Sequence, residues 1–103
     1  MENNRFELLT QMLEKKPKDS FARYGLAMEY VKQEEYAKAM EHFRKLWELH
    51  PDYSAAYFQG AQVLVKTGET EEARQVLTKG IEVAGRGGDL HIKGEMEAAL
   101  EEL

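Results

Sequence analysis

Apolar residues recur along this chain at helical spacing, and the whole pattern returns after 34 residues. Leu26, Ala27 and Tyr30 define one stripe of a helix expected over about Phe21 to Lys32. Phe21, Tyr24, Met28 and Val31 define a second stripe a quarter turn or more away, so this helix needs cover on two sides. The next helix, about Tyr36 to His50, directs Ala39, Phe43, Leu46 and Leu49 inward, with Tyr36, Met40 and Trp47 beside them. A shift of 34 lays Pro17 on Pro51, Ser20 on Ser54, Ala22 on Ala56, Ala27 on Ala61, Val31 on Val65, Lys32 on Lys66 and Ala39 on Ala73. Self-similarity at this period marks a helix-turn-helix solenoid.

The copy predicts a helix over about Ala55 to Lys66 and another over about Glu71 to Ala84, with Thr70 as its cap. Its core is thinner: Gly60 stands in place of Leu26, Leu77 in place of Phe43 and Gly80 in place of Leu46. A glycine inside a helix costs about 1 kcal/mol against alanine, so Gly60 and Gly80 are expected where backbones pack closely. Ahead of the first copy, Phe6, Leu9, Met12 and Leu13 form a stripe on a helix from about residue 5 to Lys16, with Asn4 and Glu7 spaced as a capping box. Pro17 ends it, and Asp19 or Ser20 caps the next. Behind the second copy, Gly85-Arg86-Gly87-Gly88 breaks the chain before a last helix from Leu90 to Leu103, capped by Asp89. The hinge Gln33-Glu34-Glu35 lacks the glycine that Lys66-Thr67-Gly68-Glu69 has, so the first turn is expected to be less sharp or strained.

Arg23-x-x-Leu26-Ala27-x-x-Tyr30, then Ala39-x-x-x-Phe43, then Pro51 resembles the tetratricopeptide repeat (TPR) pattern, with Arg23 in place of its leading Trp. The resemblance covers roughly residues 5 to 103 and implies an all-α, TPR-like solenoid of about five antiparallel helices. One domain, 1–103, is expected: an N-terminal capping helix (1–17), a first repeat (20–53), a second repeat (54–85) and a C-terminal capping helix (89–103). The last helix reads equally as the first half of an uncompleted third repeat.

Acidic residues outnumber basic ones by 19 to 14, a net charge of −5, which leaves no electrostatic footprint for a nucleic-acid backbone. The chain has no cysteine, so neither a disulfide framework nor a thiolate site is available, and a reducing cytoplasm suits it. No stretch approaches the roughly 20 apolar residues of a membrane span, and Met1 to Lys16 has no signal-like apolar region.

Each candidate for chemistry has a plainer explanation. His42 and His50 lie about 12 Å apart along one helix, too far to share a metal, and His50 near a helix C-terminus suits the dipole. His91 starts the last helix. Ser20 and Ser54 recur just before helices, as caps do. Glu34/Glu35, Glu71/Glu72 and Glu101/Glu102 are neighbouring carboxylates without the differing environments that acid–base work requires. The Gly85–Gly88 run follows no strand and lacks the lysine of a phosphate loop. No catalytic, metal or cofactor site is expected.

What remains is a surface. In a TPR array the first helices of successive repeats line the concave side, so the resemblance implies a groove formed by Phe21, Tyr24, Met28, Val31 and Lys32 with Ala55, Phe58, Gln62, Val65 and Lys66. Its aromatic and Met content suits a protein partner's amphipathic helix or extended apolar peptide, and Lys32 and Lys66 stand at its edge to hold a carboxylate. TPR domains that grip chaperone tails use Lys and Asn where Tyr24 and Met28 stand here, and Gln59 and Gln62 stand in the second repeat, so no such clamp is expected. The expected function is a non-catalytic interaction adaptor. The alternative is a self-associating unit that pairs as a homodimer through this groove or through an outer face bearing Tyr36, Met40 or Trp47. A plainer account of Phe58 and Val65 has them packing against the last helix near Ile92, Met96 and Ala99.

Overall fold

The computed structural model describes residues 4–103. The fold is all-α. Its elements are α1 (Asn4–Lys15), α2 (Ser20–Lys32), α3 (Tyr36–Leu49), α4 (Ser54–Lys66), α5 (Thr70–Gly87) and α6 (Leu90–Glu101), so the described residues form six helices where about five were expected. Each packs on the next in the chain, and α6 also reaches back onto α4.

The turns between paired helices share one device. Glu34 takes a left-handed backbone, φ 59°, and Gly68 takes the same at φ 83°. The residue after each donates its N–H five residues back, Glu35 to Tyr30 (2.9 Å) and Glu69 to Leu64 (2.8 Å), which satisfies a carbonyl at the helix end. The first turn is therefore as sharp as the second. Of the two expectations for this hinge, strain is the one realised, because a side-chain-bearing residue sits where glycine is favoured.

Several boundaries differ from expectation. The helix α5 runs through Gly85, Arg86 and Gly87 and ends only at Gly88, at φ 75°, where Asp89 N–H donates to Ala84 (2.9 Å). Arg86 pairs with Glu82 one turn back (3.0 Å), which supports the extra turn. Thr70 is the first helical residue rather than a cap, and Glu69 at the cap position makes no side-chain capping bond, its carboxylate accepting instead from the Thr67 hydroxyl at 2.8 Å. Asp19 does cap α2, accepting from Ala22 N–H at 3.1 Å, whereas Ser20 lies inside the helix. Asn4 lies inside α1, so the position of its cap falls outside the described residues. Asp89 precedes α6 without capping it by its side chain; its carboxylate instead accepts from the Ser54 hydroxyl at 2.9 Å.

The core divides in two. Ala27 and Ala39, both fully buried, let α2 and α3 approach within a cluster that continues through Phe43, Leu46, Leu64 and Leu77 to Met96. A smaller cluster of Leu9, Ala22 and Leu26 seats α1. Where the second copy lacks a large residue, a neighbouring helix fills the space: a Cβ on Gly60 would meet Trp47 at 2.5 Å, and one on Gly80 would meet Met96 Sδ at 2.5 Å and Tyr57 Cβ at 2.7 Å. The close packing expected at both glycines is present.

Candidate partner-binding groove

The two helices α2 and α4 supply every residue expected in the groove, and the structure places them in two different settings. Phe21, at the start of α2, is 60% exposed. Tyr24, one turn on, is half-buried: its ring stacks on Tyr53 (centroids 5.2 Å apart, planes 30° apart) and meets Phe43 edge-on at 6.3 Å. Burial, and secondarily Tyr53, raises the Tyr24 phenol above its ordinary pKa, so it stays neutral. Met28 and Val31 are half-buried against the main core, and Lys32 is exposed at the helix end.

On α4, Phe58 is half-buried against the core, while Gln62, Val65 (43%) and Lys66 are exposed. Between α4 and α6 lies an open cleft of about 400 Å³ bounded by Gln62, Val65, Lys66, Ala99, Glu102 and Leu103. Helix α6 thus narrows the α4 side of the groove without sealing it. Ala99 shares the cleft with Val65, but Met96 turns the other way, onto Gly80 of α5. Tyr53, Glu102 and Leu103 were not among the residues expected here. Tyr53 lies in the short link after Pro51, where helical spacing gives no signal, and the other two depend on the docking angle of α6.

Apart from His91, the polar candidates join one element to another. His50 Nε2 lies 2.7 Å from the Lys18 carbonyl, joining the end of α3 to the turn before α2. Arg23, in the place of the leading Trp, donates to the Pro17 carbonyl (2.8 Å) and to His42 Nδ1 (3.4 Å), while its buried Nε has no hydrogen-bond partner among the described residues. Because the guanidinium donates, His42 Nδ1 accepts and the ring is neutral. Burial first and Arg23 second lower the His42 pKa, and Glu41 opposes them. His91 lies against Glu95 at 3.3 Å on the exposed side of α6. Ser54 is buried on Asp89, which gives its recurrence a packing role rather than a capping one. Among the described residues no three His, Asp or Glu side chains come together in a way that could hold a metal ion, and no helix is long and apolar enough to cross a membrane.

A sequence profile described as a tetratricopeptide repeat matches residues 30–87. The chain belongs to the tetratricopeptide repeat family. A TPR repeat-containing protein of Pseudomonas aeruginosa is 30% identical over 97 residues, 94% of this chain and 92% of that protein. The solution structure of a TPR domain protein from Salinibacter ruber superposes with a TM-score of 0.80 at 31% identity, covering 84% of this chain and 88% of that one. The TPR2B domain of yeast Sti1, solved in complex with pHsp70, shares the fold alone: TM-score 0.88, 18% identity, 93% of this chain and 77% of that one. TPR arrays are in general protein–protein interaction modules, and TPR relatives are generally non-catalytic.

Proposed function

We propose that this TPR chain is a non-catalytic adaptor that binds a segment of a partner protein in the groove along α2 and α4. The observation that carries this is Phe21, a large aromatic residue 60% exposed at the head of a helix whose next two turns present Tyr24 and Met28 half-buried on the same face. An aromatic and Met-lined surface of this kind suits an apolar anchor, because flat rings and a flexible thioether adapt to it with little loss of conformational freedom. The Sti1 domain was solved with a pHsp70 partner, which supports a partner segment on this fold. The Lys and Asn positions of a chaperone-tail clamp are Tyr24 and Met28 here, so the partner segment is an amphipathic helix or an apolar extended peptide.

The test is selection of short random segments, displayed between fixed flanks, on the immobilised chain, followed by amide-shift mapping with the selected segments. Shifts confined to Phe21, Tyr24, Met28, Phe58 and Val65 are expected, with binding abolished by Phe21→Glu at unchanged helicity. Shifts confined to the outer faces of α3 and α5, or the failure of any segment to bind, would refute the reading. Light scattering on the same protein separates the homodimer: a dimer that Phe21→Glu dissociates means the groove pairs with a second copy instead.

A further inference from the structure

The charges beside the groove are unevenly paired. Every lysine and arginine of α3 and α5 is ion-paired to a carboxylate. Lys32 and Lys66, which end α2 and α4 at equivalent positions of the 34-residue period, have no partner among the described residues. The single carboxylate of α2, Glu29, is buried and bonded to Arg5 (3.2 Å), and α4 has no carboxylate. The two groove helices therefore present uncompensated positive charge on a chain whose net charge is −5. A lysine in the last turn also complements the helix dipole, but that leaves its ammonium exposed and available.

Lys66 is also a wall of the α4–α6 cleft, where Val65, Ala99 and Leu103 supply the apolar lining and Glu102 stands on the α6 side. At about 400 Å³ the cleft is within the range of ligand clefts, roughly 300–1,000 Å³, and holds one branched aliphatic side chain with its backbone. Glu102 repels a second carboxylate, so an acidic group entering here settles on the α4 side, at Lys66.

We propose that the α4–α6 cleft seats an aliphatic side chain of the partner segment, and that Lys66 holds the side-chain carboxylate of an Asp or Glu next to it, with the exposed Lys32 at the end of α2 adding to the positive field. This rests on the groove-binding reading and specifies its ligand: an acidic segment with an aliphatic anchor, read internally rather than at a chain end. The ammonium groups raise the local concentration of such a segment, so binding weakens with salt, whereas the cleft sets how long it stays.

The experiment uses the segments selected above, measured by calorimetry against the full chain. Selected segments are expected to place Asp or Glu within two positions of Leu, Ile or Val. Val65→Trp, at an exposed site, fills the cleft and is expected to weaken binding about tenfold or more. The double variant Lys32→Gln/Lys66→Gln is expected to weaken it and to remove most of its salt dependence. Ala99→Phe fills the cleft from the opposite wall and should repeat the Val65→Trp result. Segments that bind parent, Val65→Trp and Ala99→Phe equally, yet are lost with Phe21→Glu, would overturn the cleft assignment while the groove reading stands. A requirement for a free terminal carboxylate, seen as loss on amidation, would overturn the side-chain assignment. Selection of no segment at all would remove both readings together.

Discussion

Glu34 and Gly68, equivalent positions of the repeat, share a left-handed backbone, at φ 59° and 83°. Only one of them does so without a steric penalty, which is roughly 1–2 kcal/mol for an L-residue. Glycine loses more freedom on folding and returns part of that gain. Glu34→Gly is expected to stabilise the chain by about 0.5–1 kcal/mol and Gly68→Ala to destabilise it by about 1 kcal/mol. Thermal unfolding followed by circular dichroism checks both; a lower midpoint for Glu34→Gly would contradict the strain argument.

Gly80 and Gly94 predict opposite signs for the same substitution. A methyl on Gly80 meets Met96 Sδ and the backbone-fixed Cβ of Tyr57; the thioether can swing aside but Tyr57 cannot. Gly80→Ala is expected to cost about 1–3 kcal/mol through forced separation of α4, α5 and α6. Gly94 has nothing within 4 Å of the added Cβ and lies inside α6, so Gly94→Ala should gain about 1 kcal/mol from helix propensity. Denaturant midpoints for the two variants should move apart.

His42 predicts an acid-sensitive contribution to stability. Its folded pKa lies below the ordinary 6.5, so the unfolded chain binds more protons and stability rises with pH across that interval. The contribution is complete above about 6.5 and is lost as pH falls through the folded value. His42→Gln keeps an acceptor for Arg23 but does not titrate, so its midpoint should fall less than the parent's between about pH 7 and pH 5. Equal falls in the two proteins would assign the acid sensitivity elsewhere.

Ser54 and Asp89 fix the start of α6 against α4 by a single hydrogen bond of 2.9 Å. Asp89→Ala leaves the buried Ser54 hydroxyl without this partner, and a cost of about 1–3 kcal/mol is expected. The loss should appear as faster amide exchange in α6 with protection in α2 and α3 unchanged. Uniform loosening of all six helices would show that this bond does not act locally.

Much of the architecture is legible in the sequence because the repeat states it twice. Ala27 and Ala39 mark the close approach of two helices, and Pro17 and Pro51 mark the ends of α1 and α3. The substitution of Gly80 for Leu46 also announces a neighbour that fills the space, though not that the neighbour is Met96. Helical spacing could not register contacts made outside the repeat. Arg23 bonds a carbonyl in the preceding turn, Tyr53 stacks from a link between helices, and Asp89 serves Ser54 rather than its own helix. The persistence of α5 through Gly85 and Gly87 was hidden for a related reason: glycine content argued for a break, while the stop depends on a left-handed residue, which comes only at Gly88. Within the groove, residue identities on α2 and α4 were readable, whereas the cleft with Ala99, Glu102 and Leu103 depends on how α6 docks.

The division of the core gives this small array a natural insertion point. Leu9, Ala22 and Leu26 meet in a cluster of their own, separate from the one running from Ala27 to Met96. Additional 34-residue units spliced into the turn at Lys16 to Asp19 would take α1 as their end piece and would have to replace the Pro17 and Lys18 carbonyls that Arg23 and His50 meet and the Phe6 ring that covers Tyr30. The length of the array can thus grow from the N-terminal side while the α4–α6 cleft at the other end keeps its shape.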